Sequence, residues 1–334
     1  MKILMAWELD SDISHIHHLR LISHYLREMI PDCHITLACT QSIEPEHKLY
    51  FDDIFVTNRI QLKHPSEATG VILGLSSLGW IAPDLRQPAF SSWSKLYKKV
   101  KPDLVIAESS PGAILSAILE EIPVIQSSNG KNQVTKEDLE LNEYFPEFQV
   151  WLWSLIGQTY AQALNKPGLV FCPKSIDDER SGLIFNVNPA KWPWEDIPRG
   201  SQEAVIYSNV DGSGGSYSDI NGAEGIQKTL AENGITSIIV NKIDPVNTDH
   251  TKLIIGGFDK FSMSLAASIG APYLGLNSNN RVSESAIRAI RNKSAYSFSS
   301  TSDLELIINS VRGVAPRVGE FTEIPVALSH LVRN

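Results

Sequence analysis

Two residues in this sequence have the types and positions needed for acid–base chemistry. His15 falls where an apolar opening stretch, Lys2 to Trp7, gives way to an amphipathic helical pattern. An unperturbed imidazole titrates near about pH 6.5, so a histidine at a strand-to-helix junction can remove a hydroxyl proton as a general base. Glu108 closes a later apolar run, Leu104 to Ala107, and a carboxylate there can orient the imidazole and stabilise the charge it acquires. The competing reading for His15 is a polar surface position, because His17, His18 and His24 lie close by. His15 and His18, at i and i+3, share one helical face and raise a metal reading, but no Cys or Glu completes an evident site, so no metal is expected.

A second set of residues suits anion binding. Gly212-Ser213-Gly214-Gly215 follows an apolar run, Ala204 to Asn209, and precedes a helical pattern. Small residues at such a place let backbone N–H groups and the helix N-terminus approach a diphosphate, although a plain strand-to-helix turn has the same composition. Ser262, at the start of a helix over Met263 to Ile269, can cap it and hold a phosphate with the positive end of the helix dipole. Lys260 would add a full positive charge, or simply be a solvated loop residue.

Positioning these residues takes strands that end in loops followed by helices. Ile16, Leu19, Ile22, Leu26 and Ile30 recur at helical spacing until Pro31, and the strand His34 to Cys39 follows. A second strand–helix–strand unit runs from Leu104 through the helix Ala113 to Glu121 to Pro123–Gln126. Val134 to Leu164 reads as helical, and Leu169 to Cys172 as the last strand of a first half. Pro189, Pro193 and Pro198, with Trp192 and Trp194, mark a linker. A second half starts at the strand from Ala204, with helices over Ile220 to Asn233 and Met263 to Ile269 closed by Gly234 and Gly270. The expected divisions are a first domain over 1–175, a linker over 176–203, a second domain over 204–314, and a tail over 315–334 whose helix, Pro325 to Val332, returns to the first half.

Composition agrees with two halves and excludes several classes. At 334 residues, 43% of them hydrophobic, the chain exceeds the roughly 250–300 residues at which single cores stop growing. The net charge of −9 gives no general attraction to nucleic-acid phosphates or anionic membranes. Cys33, Cys39 and Cys172 have neither disulfide-framework nor zinc-site spacing, so a reducing cytoplasm is the expected setting. The first strand is too short for a signal-peptide core or a membrane span.

Three stretches, Ile3-Leu-Met-Ala-Trp-Glu-Leu9 leading to Ser14-His15, Pro102-Asp-Leu-Val-Ile-Ala-Glu108, and Ile255-Gly-Gly-Phe-Asp-Lys-Phe-Ser262 continuing to Pro272, occur in the order found in one family. Together they resemble the metal-independent nucleotide-sugar glycosyltransferases of GT-B fold, especially bacterial relatives of the macrolide and glucuronosyl transferases. The resemblance implies an α/β protein of two Rossmann-like domains facing across a cleft. It also implies inverting transfer of a sugar from a nucleoside diphosphate sugar to a hydroxyl-bearing small molecule or glycan, with the donor as substrate and no cofactor. His15 stands where the family has its base, and Glu108 near the acidic residue that supports it. The family's donor motif, approximately His-Gly-Gly-His-Gly-Thr, aligns with Gly257 to Ser262, or with Gly256-Gly257 as the glycine pair after an insertion. The pair that grips sugar hydroxyls falls near Asn279, Asn280, Arg281 and Val282.

Departures from the family pattern keep other functions open. Asp10 and Asp12 replace glycines of the first loop, and either contact a cationic or hydroxyl-rich acceptor or favour the N-terminus of their helix. The seven tryptophans could line an acceptor pocket or fill cores, and Trp192 and Trp194 could pack the halves together. The same architecture supports a nucleotide-sugar epimerase or hydrolase, and the altered loops also fit a binding or partner subunit that has lost catalysis.

Overall fold

A computed structural model describes residues 1–9, 14–40, 43, 45–57, 75, 78–128, 146–171, 184–187, 203–207, 222–240, 251–257, 260–276, 295–311 and 322–333. The strands of the first half are β1 (Lys2–Trp7), β2 (His34–Cys39), β3 (Asp53–Val56), β4 (Leu104–Glu108), β5 (Val124–Ser128), β6 (Gly168–Val170) and β7 (Ile184–Asn186). They form one parallel sheet in the order β3-β2-β1-β4-β5-β6-β7. The second half contributes β8 (Ala204–Tyr207), β9 (Ser237–Val240), β10 (Leu253–Gly257), β11 (Tyr273–Leu276) and β12 (Ala295–Phe298). These make a five-stranded parallel sheet in the order β12-β11-β10-β8-β9.

Each sheet has the strand order of a doubly wound fold, which reverses direction at one point and leaves a crevice at the carboxyl ends of the strands there. In the first sheet that point is β1 beside β4; in the second it is β8 beside β10. From Ile3 onward the first strand is apolar because both of its faces are buried. Ile3, Met5 and Trp7 enter one core cluster, and Leu4 and Ala6 the other.

The helices are α1 (Ser14–Met29), α2 (Pro83–Val100), α3 (Pro111–Leu119), α4 (Pro146–Ile156), α5 (Tyr160–Leu164), α6 (Gly222–Glu232), α7 (Lys260–Ile269), α8 (Thr301–Val311) and α9 (Ile324–Arg333). The apolar stripe of α1, Ile16, Leu19, Ile22 and Leu26, packs under β1 and β2. In the same cluster lie Ile324, Ala327, Leu328 and Leu331 of α9, at the i, i+3, i+4, i+7 spacing of one helix face. Gly234 and Gly270 follow α6 and α7 with φ of +72° and +70°, the left-handed conformation that closes a helix.

Several elements differ from the sequence reading. The first sheet does not end near Cys172: β7 pairs with β6 inside the stretch expected as a linker. Three residues are too few to show a period of two. The helical stretch expected to reach Leu164 is interrupted after α4 by Gly157 at φ +65°, and α5 restarts behind a capping box in which Thr159 and Gln162 satisfy each other's backbone N–H groups. Its beginning, 134–145, and the tryptophan-containing linker at 192–194 lie outside the described residues, as does Cys172. Cys33 and Cys39 are buried and not joined in a disulfide. No helix among the described residues is long and apolar enough to cross a membrane.

Candidate active site

The switch point of the first sheet carries a buried polar cluster. Trp7 and Glu108 are paired across β1 and β4, and Glu108 is paired with Ser127 across β4 and β5. Glu108 therefore leaves the sheet where α1 begins, and α1 brings His15 and His18 down onto it. His15 Nδ1 lies 2.7 Å and His18 Nδ1 3.3 Å from Glu108 Oε1, while the Ser127 hydroxyl donates to Oε2. His15 and Glu108 are fully buried and His18 is 1% exposed. His18 stacks on Phe171 at 3.9 Å between ring centroids, and His15 lies tilted against the Trp7 ring.

Burial alone would push the Glu108 carboxyl up. The charge of His18 and the hydrogen bonds from His15 and His18 outweigh it and hold the carboxyl at about 2, below its usual 4.5. An ionised carboxylate only accepts hydrogen bonds, so both imidazoles donate from Nδ1. In neutral His15 that leaves Nε2 as the ring's proton acceptor, the tautomer a general base needs.

The same contacts correct the expectation that no Glu completes a site with His15 and His18. Glu108, 93 residues from His15 in sequence, supplies the third group, and one donor atom from each lies within 4.8 Å of the others. Two imidazoles and a carboxylate are ligand types that zinc accepts.

On the opposite face of β1 sits Glu8, a residue the sequence reading did not single out. Trp93 Nε1–H donates to its Oε1 at 2.8 Å, and the Ala113 N–H, third in α3, donates to Oε2 at 3.1 Å. Gly112 is required here, because a Cβ would lie 2.6 Å from Trp80 Nε1 and 2.7 Å from Glu8 Oε1. Burial, followed by the Glu8 charge, raises the neighbouring Tyr97 hydroxyl well above its usual 10. Glu8 lines a cavity of about 480 Å³ together with Thr40, Thr57, Trp80 and Trp93. Its partners are distant in sequence, so no local spacing marks it.

In the second half, β10 ends in Gly256-Gly257 and α7 starts at Lys260, three residues earlier than expected. Ser262 therefore sits inside the first turn, not at the cap position, and is fully buried. Its Oγ is 3.5 Å from where a Gly256 side chain would begin, and the Tyr273 hydroxyl is 3.0 Å from that point while donating to the Gly257 carbonyl. A Cβ on Gly257 would meet nothing within 4 Å among the described residues, so their packing does not demand glycine there. Gly212, Ser213, Gly214, Gly215, Asn279, Asn280, Asp10 and Asp12 lie outside the described residues, and of Lys260 only the backbone is described.

No protein-family model matches the chain, and no curated protein sequence matches it either. Solved structures do match along nearly its whole length. The glycotransferase of kitacinnamycin superposes with a TM-score of 0.61 at 12% identity, covering 99% of this chain and 94% of that one. The calicheamicin glycosyltransferase gives 0.60 at 12% identity, covering 99% and 93%. A UDP-N-acetylglucosamine 2-epimerase gives 0.50 at 11% identity, covering 94% and 88%. At these identities the likeness defines the fold: two Rossmann-like halves, each a parallel sheet flanked by helices, in the GT-B arrangement.

Proposed function

We propose that this chain is a glycosyltransferase that moves a sugar from a nucleoside diphosphate sugar to a hydroxyl group of an acceptor, with inversion and without a metal ion. The observation that carries this reading is the buried His15–Glu108 pair at the switch point of a GT-B fold. The acceptor oxygen attacks the anomeric carbon while its proton passes to His15 Nε2. The bond from that carbon to the diphosphate breaks, and the diphosphate leaves with the electron pair. Glu108 stabilises the imidazolium that forms. The loop Gly212-Ser213-Gly214-Gly215, together with Gly257, Lys260, Ser262, Asn279 and Asn280, forms the donor side, where backbone N–H groups and the start of α7 stabilise the departing charge.

The likeness to an epimerase favours a second reading, in which the same residues act on the nucleotide sugar without an acceptor. One experiment separates the readings. The protein and its His15→Ala variant are titrated calorimetrically with UDP, dTDP, GDP and their sugar conjugates, and product formation is followed with and without a panel of hydroxyl acceptors. A transferase binds one nucleotide in both forms and loses at least about 10²-fold in transfer rate in the variant. An isomerised sugar nucleotide formed without acceptor identifies an epimerase, and no nucleotide binding leaves a binding subunit.

A further inference from the structure

We propose that His15, His18 and Glu108 form a binding site for one divalent transition-metal ion of the zinc type, and that the ion, once bound, holds His15 in a tautomer unable to act as a base. That loading the site stops sugar transfer rests on the transferase reading above; the binding and the tautomer do not.

Three features carry the inference. The first is convergence. His15 and His18 stand one turn apart on α1, and their Nδ1 atoms meet at a single oxygen, Oε1 of Glu108, at 2.7 and 3.3 Å. Metal–ligand bonds of about 2.0–2.2 Å at tetrahedral angles set ligand atoms about 3.3–3.6 Å apart. An ion therefore fits among the three groups once the closer pair separates by roughly 0.6–0.9 Å. The second is support. The Ser127 hydroxyl donates to Oε2 and fixes the carboxylate, and Phe171 stacks on His18 with the rings 3° from parallel. Contacts of this kind orient metal ligands, and burial of all three side chains keeps competing water away. Glu108 is ionised, as a ligand carboxylate must be. The third is a residue left over. One imidazole backed by one carboxylate suffices for a general base, so the reaction gives His18 no task of its own. Two imidazoles and a carboxylate suit zinc-like ions, whereas magnesium takes oxygen ligands.

The consequence for His15 follows from the ring's two nitrogens. A neutral imidazole binds a metal through a lone pair, so coordination at Nδ1 moves its single proton from Nδ1 to Nε2. Nε2 is the atom that takes the acceptor's proton in the transfer described above, and in this tautomer it has no lone pair to offer.

The test uses the full chain, stripped of metal by a chelator and free of nucleotide sugar. It is titrated with cobalt(II), whose visible absorption reports tetrahedral coordination, and with zinc(II) by calorimetry. One ion per chain is expected to bind, with zinc displacing cobalt and magnesium displacing neither. His18→Gln is expected to weaken binding at least about tenfold. His34→Gln, which removes an exposed histidine beside Asp52 and Asp53, is expected to leave it unchanged. Nitrogen-15 NMR of the histidine rings in the zinc-loaded parent is expected to show His15 with metal on Nδ1 and its proton on Nε2. Absence of saturable binding, binding undiminished in His18→Gln, or a His15 ring that keeps its Nδ1 proton overturns the proposal. Should His18→Gln fail to fold, undiminished binding by His15→Ala overturns it. In the transfer assay above, zinc at loading concentration is expected to abolish transfer, and full transfer by the zinc-loaded protein overturns the off-switch. Absence of transfer without zinc counts against the transferase reading alone, because binding and tautomer are read without a donor.

Discussion

Glu108 stays charged in a fully buried position because two imidazoles and a hydroxyl are directed at its two oxygens. Its folded-state pKa of about 2 lies below the usual 4.5, so between those values the unfolded chain binds the extra proton. Stability from this group is therefore fully present above about pH 4.5 and is lost as the pH falls toward 2, amounting to roughly 3 kcal/mol. After burial, the charge of His18 is the largest influence, so His18→Gln should move acid unfolding, followed by tryptophan fluorescence, to higher pH. An unchanged midpoint would mean that His15 alone holds the charge. His18 was accessible to sequence reasoning through its i, i+3 spacing from His15; what the spacing lacked was a carboxylate arriving from β4. The approach of Glu108 to His15 was easier to read, because one ends a strand, the other starts a helix, and neighbouring parallel strands bring such positions together. Glu8 gave no signal, since a single acidic residue after a strand is common and both of its tryptophan neighbours come from remote segments.

At the level of elements, the site depends on how β4 turns into α3. Ser109 adopts φ +48°, a left-handed conformation rare outside glycine. Its N–H donates to the Ser127 carbonyl and its own carbonyl accepts from Leu9 N–H, both at 3.1 Å, so this bend ties the ends of β1, β4 and β5 together around Glu108. The left-handed conformation costs about 1–2 kcal/mol for a residue with a Cβ. Ser109→Val, which adds branching at the same φ, should lower stability in urea denaturation by about 1–2 kcal/mol, while Ser109→Gly stays close to the parent. Equal losses in the two variants would place the importance of Ser109 in its hydroxyl, which lies 3.5 Å from His15 Nδ1. Elements with long apolar runs or a clear helical stripe were legible in the sequence, as β1, β4 and α1 show. Elements fixed by pairing were not: Ile184–Asn186 becomes a strand because the edge of β6 is available to it, a condition set 16 residues earlier in the chain.

On the scale of the whole molecule, the end of the chain belongs to its beginning. The second sheet has its own core clusters, yet α9, which follows it, places Ile324, Ala327, Leu328 and Leu331 among the side chains of α1, β1 and β2. Thr322 extends this return by a parallel bridge to Val187, directly after β7. The first half is thus closed by residues that arrive after the second half, so contacts of very long sequence separation complete its core. Such contacts carry a loop-closure cost that grows only slowly with length, and burial of the α9 stripe offsets it. Leu328 is fully buried, and Leu328→Ala should cost the first half about 2–5 kcal/mol. Hydrogen exchange read peptide by peptide would show where the loss falls. Faster exchange confined to β1, β2 and α1, with β8, β10 and β11 unchanged, is the expected pattern, because Leu328 contributes to the first core and not to the clusters around β8. Faster exchange in both sheets would instead show that the halves unfold as one cooperative unit, with α9 as the tie between them.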